Sequence, residues 1–125
     1  MTSRIALTLI VAVSALGLAG CAGFNPIGGV LSQEDTANDL AAKSALSTAV
    51  MAVETFAISN GNVYPTSVAD LAEFGYVPTD GVGELQLLSG TGSYCLDAVS
   101  ASGRSFKVVS GTPVAEGECS TADLG

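Results

Sequence analysis

The chain of 125 residues has no histidine, and its 4 Lys and Arg stand against 12 Asp and Glu. Each shortage removes a class of chemistry. Serines are plentiful, but without histidine they lack the base that ordinarily activates a serine nucleophile. Lys43 and Lys107 could act as bases in principle, yet each reads better as a solvated or snorkelling side chain. Zinc has almost nothing to bind, because the 3 cysteines form no CxxC pair and no imidazole is available. A nucleic-acid partner is disfavoured by a formal net charge of −8, which repels polyphosphate. The glycine-rich stretches lack the strand-to-helix setting of a phosphate loop. The reading is therefore of a protein that is not an enzyme, with no cofactor and no metal.

What the chain does contain starts at its N-terminus. Arg4 is followed by an uncharged apolar run from Ile5 to Leu16, then by Leu18-Ala19-Gly20-Cys21. A short basic start, an apolar stretch below the ~20 residues of a bilayer span, and small residues before a cysteine are the layout of a cleaved secretory signal. The four residues ending at Cys21 resemble the lipobox of bacterial lipoproteins. That resemblance implies cleavage before Cys21, lipidation of its thiol, and attachment to the cell membrane on the extracytoplasmic side. Residues 1–20 are then a signal peptide, residues 21–31 a flexible tether rich in Gly with Pro26, and residues 32–125 a globular domain. Only Lys43, Arg104 and Lys107 remain as basic side chains.

With Cys21 assigned to lipid, Cys95 and Cys119 are left as a pair in an exported domain, where disulfides form and persist. A bridge is expected. Two free thiols or a metal site are the alternatives.

From Ser32 no Gly or Pro interrupts the chain until Gly61, and Ser32 or Asp35 can cap a helix start. Ala42, Leu46, Ala49, Val53 and Phe56 follow a 4-3-4-3 spacing, with Val50 and Ala57 widening the stripe. This predicts one long amphipathic helix ending at Asn60-Gly61. A short helix is expected over 68–74, capped by Thr66 or Ser67, with Asp70 placed to close a capping box on Ser67, Gly75 ending it, and Val68, Leu71 and Phe74 facing inward. Residues 84–88, 94–99 and 105–109 alternate as strands between glycine-rich turns, so an antiparallel meander follows. The tail from Thr112 has no period and is expected to be pinned only through Cys119. Glu116, Glu118 and Asp123 within it could gather a calcium ion, although a solvated acidic tail suits their spacing better. Tyr64, Tyr76 and Tyr94 read as a surface contact or as partly buried rings with bonded hydroxyls.

This order of elements, with the stretch Asn60-Gly61-Asn62-Val63-Tyr64-Pro65-Thr66-Ser67, Asp70-Leu71 before Gly75-Tyr76, Ser93-Tyr94-Cys95-Leu96 and the closing Glu118-Cys119, resembles the globular head of type IV pilins and type II secretion pseudopilins. The resemblance covers residues 43–119. It implies an α+β fold, a long N-terminal helix packed on a small antiparallel sheet of three to four strands, and maps the head's paired cysteines to Cys95 and Cys119. The chain departs from a pilin at its start. A pilin's apolar helix follows the cleavage site, carries a glutamate and forms the fibre core; here the apolar run precedes Cys21, and Asn25-Pro26 follows it. The expected function is a surface lipoprotein whose non-catalytic, pilin-like head binds a protein or envelope partner, with the lipid anchor in the membrane. A minor component or regulator of a type IV pilus or type II-like secretion system is the alternative.

Overall fold

The computed structural model describes residues 26–125; the expected signal peptide at 1–20, Cys21 and the first residues of the expected tether lie outside them. The architecture is α+β, a long helix against a four-stranded antiparallel sheet.

Helix α1 runs from Pro26 to Ser59, 34 residues or about 51 Å at 1.5 Å per residue. It starts earlier than the sequence pattern suggests, so residues 26–31, expected as tether, are helical, and Ser32 and Asp35 lie inside the helix rather than at its cap. The physical reason is local. Proline at the first helical position is preset to helical φ and loses no hydrogen bond there, and the glycines behind it cost only ~1 kcal/mol each once the helix is nucleated downstream. The far end stops as expected. Gly61 and Asn62 both take left-handed φ (68° and 65°), and the Asn62 N–H donates to the Ala57 carbonyl at 2.8 Å.

The buried stripe of α1 comprises Ala42, Ala45, Leu46, Ala49, Ala52, Val53 and Ala57, with Phe56 and Val50 half-buried at its margin. Five of those seven residues are alanine, so the helix backbone lies close to the sheet. The segment Gln33–Ser59 is apolar enough by composition to cross a bilayer (mean hydropathy 1.2), but the core of this domain uses its apolar face.

Behind α1, Val68–Phe74 forms a 3-10 helix. The Ser67 hydroxyl accepts the Ala69 N–H at 3.2 Å, and Gly75 closes the turn at φ 92°. Leu71 is fully buried, Val68 packs beside it, and the Phe74 ring meets Phe56 edge-on at 5.3 Å. The expected reciprocal box with Asp70 does not form; it forms instead at Ser120 and Asp123. At Ser67 the hydroxyl accepts from the Ala69 N–H, two residues on, rather than from the Asp70 N–H.

The sheet is a meander of β1 (Gln86–Ser89), β2 (Tyr94–Val99), β3 (Ser105–Val109) and β4 (Ala115–Glu116) in that order. β1 pairs with β2 from Gln86–Asp97 to Ser89–Tyr94, and β2 with β3 from Cys95–Val109 to Val99–Ser105. Period two then sends Leu85, Leu87, Tyr94, Leu96, Ala98, Phe106 and Val108 toward α1. The approach to β1 is tied down by the Gly83 N–H, which donates to the Val99 carbonyl at 2.7 Å. A Cβ at Gly83 would lie 2.9 Å from that oxygen, so the position suits glycine alone.

Cys95 and Asp97 belong to the opposite face of β2, yet both are buried. The C-terminal segment covers them. β4 extends the sheet beyond β3, and a 3-10 turn at Thr121–Leu124 packs over β1 and β2, with the Ser93 hydroxyl donating to the Leu124 carbonyl at 2.7 Å. The tail is thus a strap across the outer face of the sheet, held by more than Cys119. The domain has three layers, helix, sheet and strap.

Candidate binding surface

The described residues carry two polar clusters on the sheet and a set of shallow grooves around it. The first cluster is built around Arg104. Its guanidinium donates to Asp39 at 2.8 Å, pairs with Glu116, and lies over the Phe106 ring at 5.6 Å. Lys43, one helical turn on from Asp39, places its ammonium 4.6 Å from the same ring. The Ser102 hydroxyl donates to Asp39 at 2.6 Å, and this bond, with the nearby Ser100 hydroxyl and the Arg104 charge, holds the Asp39 carboxyl below its usual range despite its burial. The cluster pins the middle of α1 to the β2–β3 turn.

The second cluster lies under the strap. Asp97 accepts the Cys119 N–H at 2.7 Å, and Lys107, its cross-strand neighbour, pairs with Asp123 at 2.8 Å. Burial pushes the Asp97 carboxyl up; the Cys119 N–H and the Lys107 charge oppose that shift, and Glu118 reinforces it. Asp123 is held low by its bonds to Lys107 and Ser120. Beside this cluster Cys95 and Cys119 are bridged, with their Cα atoms 5.8 Å apart.

The other residues singled out in the sequence now have places. Cys21 lies outside the described residues. Lys43 and Lys107 are the ring-stacked and ion-paired groups above. Glu116, Glu118 and Asp123 do not converge: Glu116 pairs with Arg104, Glu118 accepts from Ser105 at 3.3 Å, and Asp123 pairs with Lys107. Among the described residues no cluster of three or more side chains is arranged to hold a metal ion. Tyr94 and Tyr76 are core residues rather than a surface contact. The Tyr94 hydroxyl donates to Glu54 at 2.9 Å, its ring meets Tyr64 edge-on at 4.9 Å, and burial followed by the Glu54 carboxylate raises its pKa.

Sequence reasoning missed Asp39 and the serines 100 and 102. The Asp39 carboxylate was visible in the sequence, but its partners lie more than sixty positions away in the chain, beyond any local pattern.

Two kinds of accessible surface remain. The outer face of α1 exposes Leu40, Met51 and Ile58, while the hydroxyls of Ser47 and Thr55 turn back onto the helix carbonyls of Lys43 and Met51. A groove of about 400 Å³ runs between the 3-10 helix and the approach to β1, lined by Val68, Tyr76, Pro78, Val82, Glu84 and Leu85 among others. A second, of about 460 Å³, lies between β1 and the strap beside Asp97 and Glu118. No protein-family model matches this chain, and no curated relative matches it either.

Proposed function

We propose that the protein is a membrane-anchored lipoprotein whose pilin-like head, exposed outside the cytoplasmic membrane, binds a protein or envelope partner without catalysing a reaction. The observation that carries this reading is the conjunction of two features in one chain. A Leu-Ala-Gly-Cys stretch follows an apolar run at the N-terminus, and a long helix lies on a four-stranded meander with its final cysteine bridged to β2. Two or three acyl chains on Cys21 would anchor far more firmly than one, at ~0.8 kcal/mol per buried CH₂. The acidic balance suits solubility at a surface.

The apolar segment that would pack in a fibre core precedes Cys21 and leaves with the signal. The apolar stripe of α1 is already taken by the sheet. The mature protein is therefore expected at the membrane and not along filaments.

Labelled palmitate supplied to expressing cells tests the anchor. Incorporation that depends on Cys21, lost in Cys21→Ser together with cleavage, supports it; normal maturation and labelling of that variant would overturn it. Immunogold electron microscopy tests the second half. Label spread over the envelope fits an anchored head, whereas regular label along fibres would restore a pilus-subunit role.

A further inference from the structure

The charges of this domain are segregated. Between Lys43 and Arg104 the sequence has no basic residue, while Glu54, Asp70, Glu73, Asp80, Glu84 and Asp97 all fall in that interval. Folding sharpens the asymmetry. Each basic side chain among the described residues is engaged on the β3 side, Lys43 over Phe106, Arg104 with Asp39 and Glu116, and Lys107 with Asp123. Glu54 is taken by the Tyr94 hydroxyl and Asp97 by the Cys119 N–H. Asp70, Glu73, Asp80 and Glu84 are left exposed, and none of the three described cations pairs with them.

Of these uncompensated carboxylates one lines the 400 Å³ groove and two are sequence neighbours of its lining residues. Glu84 lines it, while Asp70 and Asp80 each directly follow a lining residue, Ala69 and Thr79. The floor is apolar, formed by Val68, Tyr76, Pro78, Val82 and Leu85, and Val77, between two lining residues, is 71% exposed. The groove is also built in advance. Tyr76 and Leu85 are anchored in the core, Gly75 caps the 3-10 helix, and the Val82–Ser100 bridge with the Gly83 bond ties its far wall to the sheet. A preformed site spares a ligand the cost of ordering it.

We propose that this groove is the docking site for a basic, extended segment of a partner protein, seating a lysine or arginine whose methylene stem packs on Tyr76, Pro78 and Val82 while its cation meets Glu84 and Asp80. An apolar floor with Glu84 in its wall and Asp80 next to the lining Thr79 matches the two-part chemistry of a long basic side chain, and the domain's excess negative charge steers such a segment in while repelling nucleic acid and anionic lipid. The proposal rests on the reading of the head as a binding module and names the chemistry of its partner.

The test is a titration of the isotope-labelled mature protein, lipid anchor in place in detergent micelles, with a synthetic peptide in which arginine alternates with valine. A matched peptide carries uncharged citrulline for every arginine. Backbone resonance shifts concentrated over residues 68–85 are expected with the arginine peptide alone. Asp80→Asn with Glu84→Gln is expected to weaken Kd about tenfold, whereas Glu34→Gln with Asp35→Asn, the same charge change on α1, leaves it unchanged. Equal weakening by both pairs would reduce the effect to bulk charge and overturn the groove. Shifts confined to the outer face of α1 would overturn the groove while leaving the head a binding module. Calcium alone reproducing the shifts and displacing the peptide would make this a cation site instead. Absence of binding to either peptide would also overturn the proposal, independently of the palmitate and microscopy results.

Discussion

Removing the Cys95–Cys119 bridge by Cys95→Ala with Cys119→Ala is expected to release the strap and lower stability by about 3.5 kcal/mol. The magnitude follows from the sequence separation of 24 residues, since closing a loop of that size removes about 11.6 cal/mol/K from the unfolded chain, or about 3.5 kcal/mol at 25 °C. What would remain to hold residues 111–125 is modest. Two paired residues in β4, the Arg104–Glu116 and Lys107–Asp123 pairs, and the Asp97–Cys119, Ser105–Glu118 and Ser93–Leu124 bonds supply only about 1 kcal/mol each. Ordering each strap residue costs ~1–2 kcal/mol of backbone entropy, so these bonds alone do not hold it. For a domain of this size 1 kcal/mol corresponds to ~4–8 °C, which places the fall in Tm at roughly 14–28 °C. Circular dichroism melts of the two forms measure it, and amide exchange should show residues 111–125 opening before α1. A fall of less than about 5 °C, or exchange that rises uniformly through the domain, would refute the view that the bridge closes an otherwise weak strap.

Four further substitutions follow from individual contacts. Burial raises the Asp97 carboxyl above its ordinary 3.8; between the unfolded and folded pKa values the native state holds a proton that the unfolded state has lost, so this group makes stability fall as pH rises through that window. Asp97→Asn keeps an acceptor for the Cys119 N–H without the charge, and its denaturant midpoint at pH 7 is expected to equal or exceed the parent's, with that pH slope removed; a clear loss at pH 7 would contradict this. Gly83→Ala presses a methyl on the Val99 carbonyl oxygen at 2.9 Å, which is backbone and cannot swing away; a loss of ~1–3 kcal/mol is expected, and a neutral result by urea titration would show that the β1 approach yields freely. Tyr94→Phe removes the hydroxyl bond to Glu54 while keeping the ring, so a loss of only ~0.5–1.5 kcal/mol is expected in the same assay, against ~3–5 for Phe106→Ala, which empties the fully buried site between sheet and helix.

Periodicity made the domain's frame legible. The 4-3-4-3 stripe picked out Ala42, Leu46, Ala49 and Val53, alternation picked out the inward residues of β2 and β3, and the expected pair Cys95 and Cys119 is bonded. The start of α1 was missed because Gly28 and Gly29 weigh against a helix only as local propensity, and the downstream packing overrides it. The strap was missed for a different reason. Residues 112–125 carry no period, and what orders them beside the Cys95–Cys119 bridge is a carboxylate, a lysine and a serine from β2, β3 and the turn before them. The acidic groove is of the same kind. Each carboxylate was visible in the sequence, but only the fold shows that the described cations are engaged with other partners.

The intact mass of the protein extracted from membranes without reduction measures the proposed lipid anchor and the bridge at once. A chain of residues 21–125 carrying a diacylglyceryl group on Cys21, with two hydrogens missing for the Cys95–Cys119 bond, is the predicted species. A mass that retains residues 1–20, or that begins elsewhere without acyl chains, would contradict it.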